Sequence, residues 1–146
     1  MAMGFATTAQ RADDSYRIQR VEYLLQTVLL ISLGAIIGAN LRYFVAQQIA
    51  KASLFPYGTL AVNVTGSFAI GFFLVWTTER VLVDPRWRLL VAVGFCGGYT
   101  TYSSYAYETI ALIERGEWLT ATLNIVFSNV LCLLAVVLGA ALARGA

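Results

Sequence analysis

The chain has 146 residues, 59% of them hydrophobic and only 12% charged, with a mean hydropathy of +0.71. An ordinary soluble domain carries about twice that share of charge, so a soluble reading is excluded. Ten Lys and Arg against eight Asp and Glu leave a net charge of +2, too weak for nucleic-acid or acidic-substrate binding, and no His is present to act as general base or metal ligand.

Residues 1–20 mix Ala, Thr, Gln, Arg and Asp without apolar periodicity and read as an N-terminal polar tail, flexible or lying along a surface. A cleaved signal peptide is not expected, because the apolar run starts late and is as long as a true span. Residues 21–146 read as one membrane domain. About 20 apolar residues cross about 30 Å of hydrocarbon, and four such runs follow in order: 24–41, 57–77, 89–113 and 118–143. Gln47, Gln48, Lys51 and Ser53 mark the first connection, Asp84-Pro85-Arg86 the second, and Glu114-Arg115-Gly116-Glu117 the third. Trp76, Trp87 and Trp118 fall at span ends, where amphipathic rings favour the interface. The expectation is an all-α integral membrane protein with four transmembrane helices. Cys96 and Cys132 lie inside apolar runs and read as packing residues.

Arg11, Arg17, Arg20, Arg80, Arg86, Arg88 and Arg144 fall on the side of the termini, and Arg42, Lys51 and Arg115 on the other. The positive-inside rule then favours cytoplasmic termini. Without the three tail arginines the bias is four against three, which decides nothing.

Polar residues inside the spans carry the functional argument, since burying them in lipid needs a reason. The third span runs Gly94-Phe95-Cys96-Gly97-Gly98-Tyr99-Thr100-Thr101-Tyr102-Ser103-Ser104-Tyr105. Gly94 and Gly98, four apart, can simply let a neighbouring helix approach. The adjacent glycines followed by a hydroxyl run point instead to a break near mid-span, where freed carbonyls bind a cation and half-helix ends serve an ion. In the second span Asn63 brings two donors and an acceptor into a place without water; interhelical glue is its bland role. Gly34, Gly38, Gly66 and Gly71 read as close helix contacts. Arg42 closes the first span, either snorkelling or lining an anion-attracting vestibule. Tyr99 and Tyr107 read as packing. Tyr102 and Tyr105 follow the expected break and offer electropositive ring edges and phenolic donors to an anion. Glu108 reads as an acceptor for nearby hydroxyls, Ser128 as a further donor or helix tie, and Asn129 as a helix tie.

Three stretches together, Gly34-Ala35-Ile36-Ile37-Gly38-Ala39-Asn40-Leu41-Arg42-Tyr43, Gly58-Thr59-Leu60-Ala61-Val62-Asn63-Val64-Thr65-Gly66-Ser67 and the third-span run, resemble the Fluc fluoride channels, also called CrcB. The resemblance covers about residues 30 to 143. It implies an antiparallel, dual-topology homodimer in the cell's inner (plasma) membrane that exports fluoride passively through two pores. It further implies a structural sodium ion (Na+) at the dimer centre, held by the backbone carbonyls of Gly97 and Thr100 from both subunits. The family's pore asparagine maps to Asn63, its vestibule arginine to Arg42, and its pore hydroxyls to Thr59, Ser104 and Ser128. Its paired phenylalanines map to Tyr102 and Tyr105, and both being tyrosine is the main departure.

Two other classes compete. A small proton-coupled multidrug exporter needs a carboxylate deep in a span, and Glu22 and Glu108 serve that poorly. A non-transporting membrane scaffold would use the polar residues as glue alone. An enzyme is not expected, since no nucleophile–base pair or metal-ligand spacing is visible.

Overall fold

A computed structural model describes residues 8–49, 53–80 and 83–145 of the chain. Every regular element among them is helical. Helix α1 spans Thr8–Ile49 and α2 spans Tyr57–Val75, the latter continued by a π-helical turn, Trp76–Arg80. The third segment is made of α3 (Pro85–Trp87), a π-helical stretch (Arg88–Cys96), α4 (Gly97–Tyr99) and α5 (Tyr102–Glu114), and α6 (Trp118–Gly145) closes the chain.

Three helices are long and apolar enough to cross a membrane: Asp13–Ile49, Tyr57–Glu79 and Trp118–Gly145. The third expected span is absent from that set because it is broken at Thr100 and Thr101, so neither half is long enough alone. Helix α1 is longer than the sequence suggests. Its 42 residues amount to about 63 Å of helix, about twice the hydrocarbon thickness. It starts inside the stretch expected to be a polar tail, where Arg17 donates to Asp13 at 2.9 Å one turn away and an apolar face is not needed to hold the turn. Residues 1–7 and Lys51 lie outside the described residues.

Glycines set two seams in the bundle. A Cβ on Gly34 would stand 2.1 Å from the Leu90 carbonyl oxygen, and one on Gly98 would stand 2.7 Å from that of Ala35, so α1 lies backbone to backbone against the upstream half of the third segment. A Cβ on Gly71 would stand 2.4 Å from the Val136 carbonyl oxygen, and one on Gly139 would stand 2.3 Å from that of Phe68, which fixes α2 against α6 in the same way. Small residues are the usual means of such approach in lipid, where helix association has no hydrophobic drive. Gly116 alone among the described glycines has positive φ, +79°, and makes the turn between α5 and α6.

Charged residues sort to the two ends as expected. Arg144 pairs with Glu79 at 3.2 Å, and Arg88 donates to the Thr77 carbonyl and the Thr78 hydroxyl at 3.2 and 2.8 Å. The Asp84 carboxylate accepts from the Arg86 amide at 2.9 Å and caps α3. Arg42 and Arg115 lie at the opposite end, where both line one cavity. Trp76, Trp87 and Trp118 are exposed there and at the first end, and both cysteines are free thiols, Cys96 buried and Cys132 partly so.

Candidate ion-pathway site

The site grows from the break in the third segment. Gly97 itself is helical, and the chain leaves the helix three residues later: Thr100 is extended (φ −82°, ψ 158°) and so is Thr101 (φ −150°, ψ 113°). A break in lipid frees backbone groups that need partners, and side chains supply them. The Thr100 amide and hydroxyl both donate to the Cys96 carbonyl, at 3.0 and 2.9 Å, which ends the upstream helix. The Thr101 hydroxyl accepts from the Ser104 amide at 3.2 Å and caps α5.

Asn63 completes the repair from α2. Its Oδ1 accepts from the Thr101 amide at 2.7 Å, and its Nδ2 donates to the Thr101 carbonyl at 2.9 Å. The side-chain amide thus pairs with both backbone groups of one residue, Thr101, as a neighbouring strand would. Arg42 turns its guanidinium inward and donates to the Thr100 carbonyl at 3.2 Å, so it does not snorkel along the surface.

Two cavities flank the break, and Thr101 lines both. The larger, of about 770 Å³, is lined by Arg42, Thr59, Ser104, Tyr107, Glu108 and Arg115 among others. The smaller, of about 360 Å³, takes in Asn63, Gly97, Thr100, Tyr102, Tyr105 and Ser128. Every residue singled out in the sequence as pore or cation site therefore lies on one of these two spaces. In the larger one the Thr59 hydroxyl donates to Glu108 Oε1 at 2.7 Å, while Glu108 Oε2 is buried without a hydrogen-bond partner among the described residues. In the smaller one the Tyr102 and Tyr105 rings meet at 5.3 Å and 56°. Tyr105 is buried and Tyr102 is 78% exposed.

Two side-chain readings divide here. Tyr99 packs as expected: it is buried, stacks on Phe95 at 5.8 Å, and its hydroxyl meets that of Thr65 at 3.0 Å. Tyr107 does not, being 77% exposed at the rim of the larger cavity. It projects from the face of α5 opposite the buried positions Tyr105, Thr109 and Leu112. Ser128 lines the smaller cavity and donates within its own helix to Asn124 Oδ1 at 3.3 Å, and it is Asn124 that ties α6 to α5, its Nδ2 donating to Thr109 at 2.9 Å. Asn124 escaped the sequence reading, although its place one helical turn before Ser128 was a usable signal.

The comparisons with known proteins decide the family. The family model described as CrcB-like protein, Camphor Resistance (CrcB), matches residues 29–140. The chain belongs to the CrcB family. A protein of Koribacter versatilis named fluoride-specific ion channel FluC is 52% identical over 122 residues, covering 82% of this chain and 97% of that protein. Proteins of the same name from Paramagnetospirillum magneticum and a Sulfurihydrogenibium species are 50% and 46% identical, covering 77% and 82% of this chain and 91% and 98% of those proteins. These CrcB relatives are channels by name, a non-enzymatic kind of protein. The match starts well inside α1, so the first turns of that helix precede the family's shared region.

Proposed function

We propose that this chain conducts fluoride passively across the membrane, working as an antiparallel, dual-topology homodimer with two pores. The observation that carries the reading is the pair of cavities meeting at Thr101, lined on both sides by neutral donors. Fluoride is small and tightly hydrated, so a selective path must replace its water with donors along the way. Asn63, Ser104, Tyr102 and Tyr105 offer amide and hydroxyl donors without a full charge that would trap the ion, Thr59 and Ser128 add theirs by turning their hydroxyls from Glu108 and Asn124, and Arg42 draws anions to the mouth. Conduction needs binding strong enough to admit the ion and weak enough to release it. The inner (plasma) membrane is the proposed location.

The same reading includes a sodium ion at the dimer centre, on the carbonyls of Gly97 and Thr100. The residues fit it in two respects. The Thr100 carbonyl leaves the helical pattern and keeps a second lone pair beyond the one that meets Arg42. A Cβ added at Gly97 would meet nothing within 4 Å, so this face is open to a second copy. One chain brings two carbonyls where a hard cation takes about six oxygens, hence the requirement for both subunits. When bound, sodium supplies fixed positive charge beside the anion's path. The purified protein is expected to melt at a higher temperature in sodium than in N-methylglucamine buffer of equal ionic strength. Equal midpoints over a wide sodium range would remove the ion from this site.

The direct test is fluoride efflux from liposomes, followed with a fluoride electrode beside a parallel chloride measurement. Fast fluoride release with negligible chloride release is expected. No release from folded, dimeric protein would sink the reading, and proton-driven uptake of a fluorescent cation would put the exporter in its place.

A further inference from the structure

The smaller cavity holds a contact that the conduction path as described does not use. Asn129 on α6 donates from Nδ2 to the Ile125 carbonyl at 2.7 Å and to the Tyr105 hydroxyl oxygen at 3.2 Å. The first bond fixes how the amide is turned. A carbonyl can only accept, so the atom facing it is the nitrogen, and the flipped amide would set two oxygens against each other. Both hydrogens of Nδ2 are then committed. The Tyr105 oxygen is the acceptor in the second bond, and its own hydrogen is left for another partner.

The ring that carries this hydroxyl is held in place. Tyr105 is 9% exposed, and its carbonyl accepts from Thr109 at 2.7 Å, within the same helix. Tyr105 and Asn129 both line the 360 Å³ cavity together with Asn63 and Ser128. Tyr102 differs: among the described residues its hydroxyl makes no hydrogen bond, and its ring is largely exposed. The two tyrosines are therefore not equivalent.

We propose that Asn129 is a positioning residue that makes the Tyr105 hydroxyl a committed donor to an anion in the smaller cavity. A phenol that accepts one hydrogen bond donates a stronger one through its own O–H. An anion needs such a donor, and a neutral phenol supplies it without a full charge. The inference deepens the fluoride reading above and rests on it. It also gives a use to the hydroxyl that Tyr105 carries into this cavity.

The test compares Asn129→Ala, Tyr105→Phe and the double variant by fluoride efflux from liposomes. Each single change is expected to slow efflux about tenfold, the size of one charge-assisted hydrogen bond. The double variant is expected to be no slower than Tyr105→Phe, because Asn129 acts through the hydroxyl that Tyr105→Phe removes. Parent-like efflux in Asn129→Ala, or losses that multiply in the double variant, would overturn the proposal. Ultraviolet resonance Raman spectra, taken as the difference between the parent and Tyr105→Phe, read the hydroxyl without any flux. An acceptor signature that vanishes in Asn129→Ala supports the proposal, and a hydroxyl donating to Asn129 overturns it even in a protein that conducts. A parent protein that carries no fluoride would sink the conduction reading itself, and the anion assigned to Tyr105 with it.

Discussion

Asn63→Ala is expected to slow fluoride efflux about 100-fold or more. The change strips the Thr101 amide and carbonyl of partners held at 2.7 and 2.9 Å. Each unpaired buried group costs about 1–3 kcal/mol, and about 3 kcal/mol is already about 100-fold in a rate. The break either relaxes towards a continuous helix or takes in water, and in both cases the two cavities lose the wall they share. Asn63→Asp separates geometry from charge. Its carboxylate still accepts from the Thr101 amide, but the other oxygen then faces the Thr101 carbonyl and places negative charge on an anion path. It too is expected to stop fluoride. Elution profile and circular dichroism establish that both variants remain folded. Efflux at the parent rate in Asn63→Ala would show that the assigned pore is wrong, and a loss of stability without a loss of flux would leave Asn63 as glue between helices alone.

The break was legible in the sequence, but not at its true position. Adjacent glycines suggested a weak point at Gly97 and Gly98, yet both are helical. Gly98 is small because the α1 backbone passes beside it, with the Ala35 carbonyl oxygen 2.7 Å from where its Cβ would be. The chain opens at the threonines, whose hydroxyls satisfy the helix ends on either side. Close approach by small residues and a break in the helix both hold, a few residues apart. Apolar run length gave the second and fourth spans closely, because hydrocarbon thickness sets that length directly. The start of α1 was missed for the opposite reason: a helix held by local charge pairs and backbone bonds leaves no apolar stripe to read. Pairings across the bundle were out of reach. Asn63 with Thr101, Thr59 with Glu108 and Asn129 with Tyr105 are separated by 38, 49 and 24 positions, and no spacing rule joins such residues before the helices are docked. The resemblance to a known family points to Asn63 and Thr59 as candidate path residues, whereas their partners come only from the fold.

Gly38→Ala is expected to reduce the folded fraction severely, measured as the monodisperse peak in detergent. Its Cβ would stand 2.2 Å from the Phe95 carbonyl oxygen and 2.8 Å from the Tyr99 amide nitrogen. Close carbon–oxygen contacts in helix packing sit at about 3.3 Å or more, so α1 and the third segment must part by about 1 Å. Neither clashing atom can swing aside, because both are backbone. Taken alone, Gly→Ala in a helix gains about 1 kcal/mol of propensity. Overpacking of this kind costs about 1–3 kcal/mol and more where backbone must move, so the clash decides the sign. The damage also reaches the site. Arg42 follows Gly38 by one helical turn and donates to the Thr100 carbonyl at 3.2 Å, a bond that a 1 Å separation would break. Protein that does fold is therefore expected to conduct poorly. Gly145→Ala at the end of α6 is the control, since a Cβ there meets nothing within 4 Å. A Gly38→Ala protein with the parent's peak and the parent's efflux would mean that the α1 seam is looser than backbone contact, and that Arg42 reaches the break by another route.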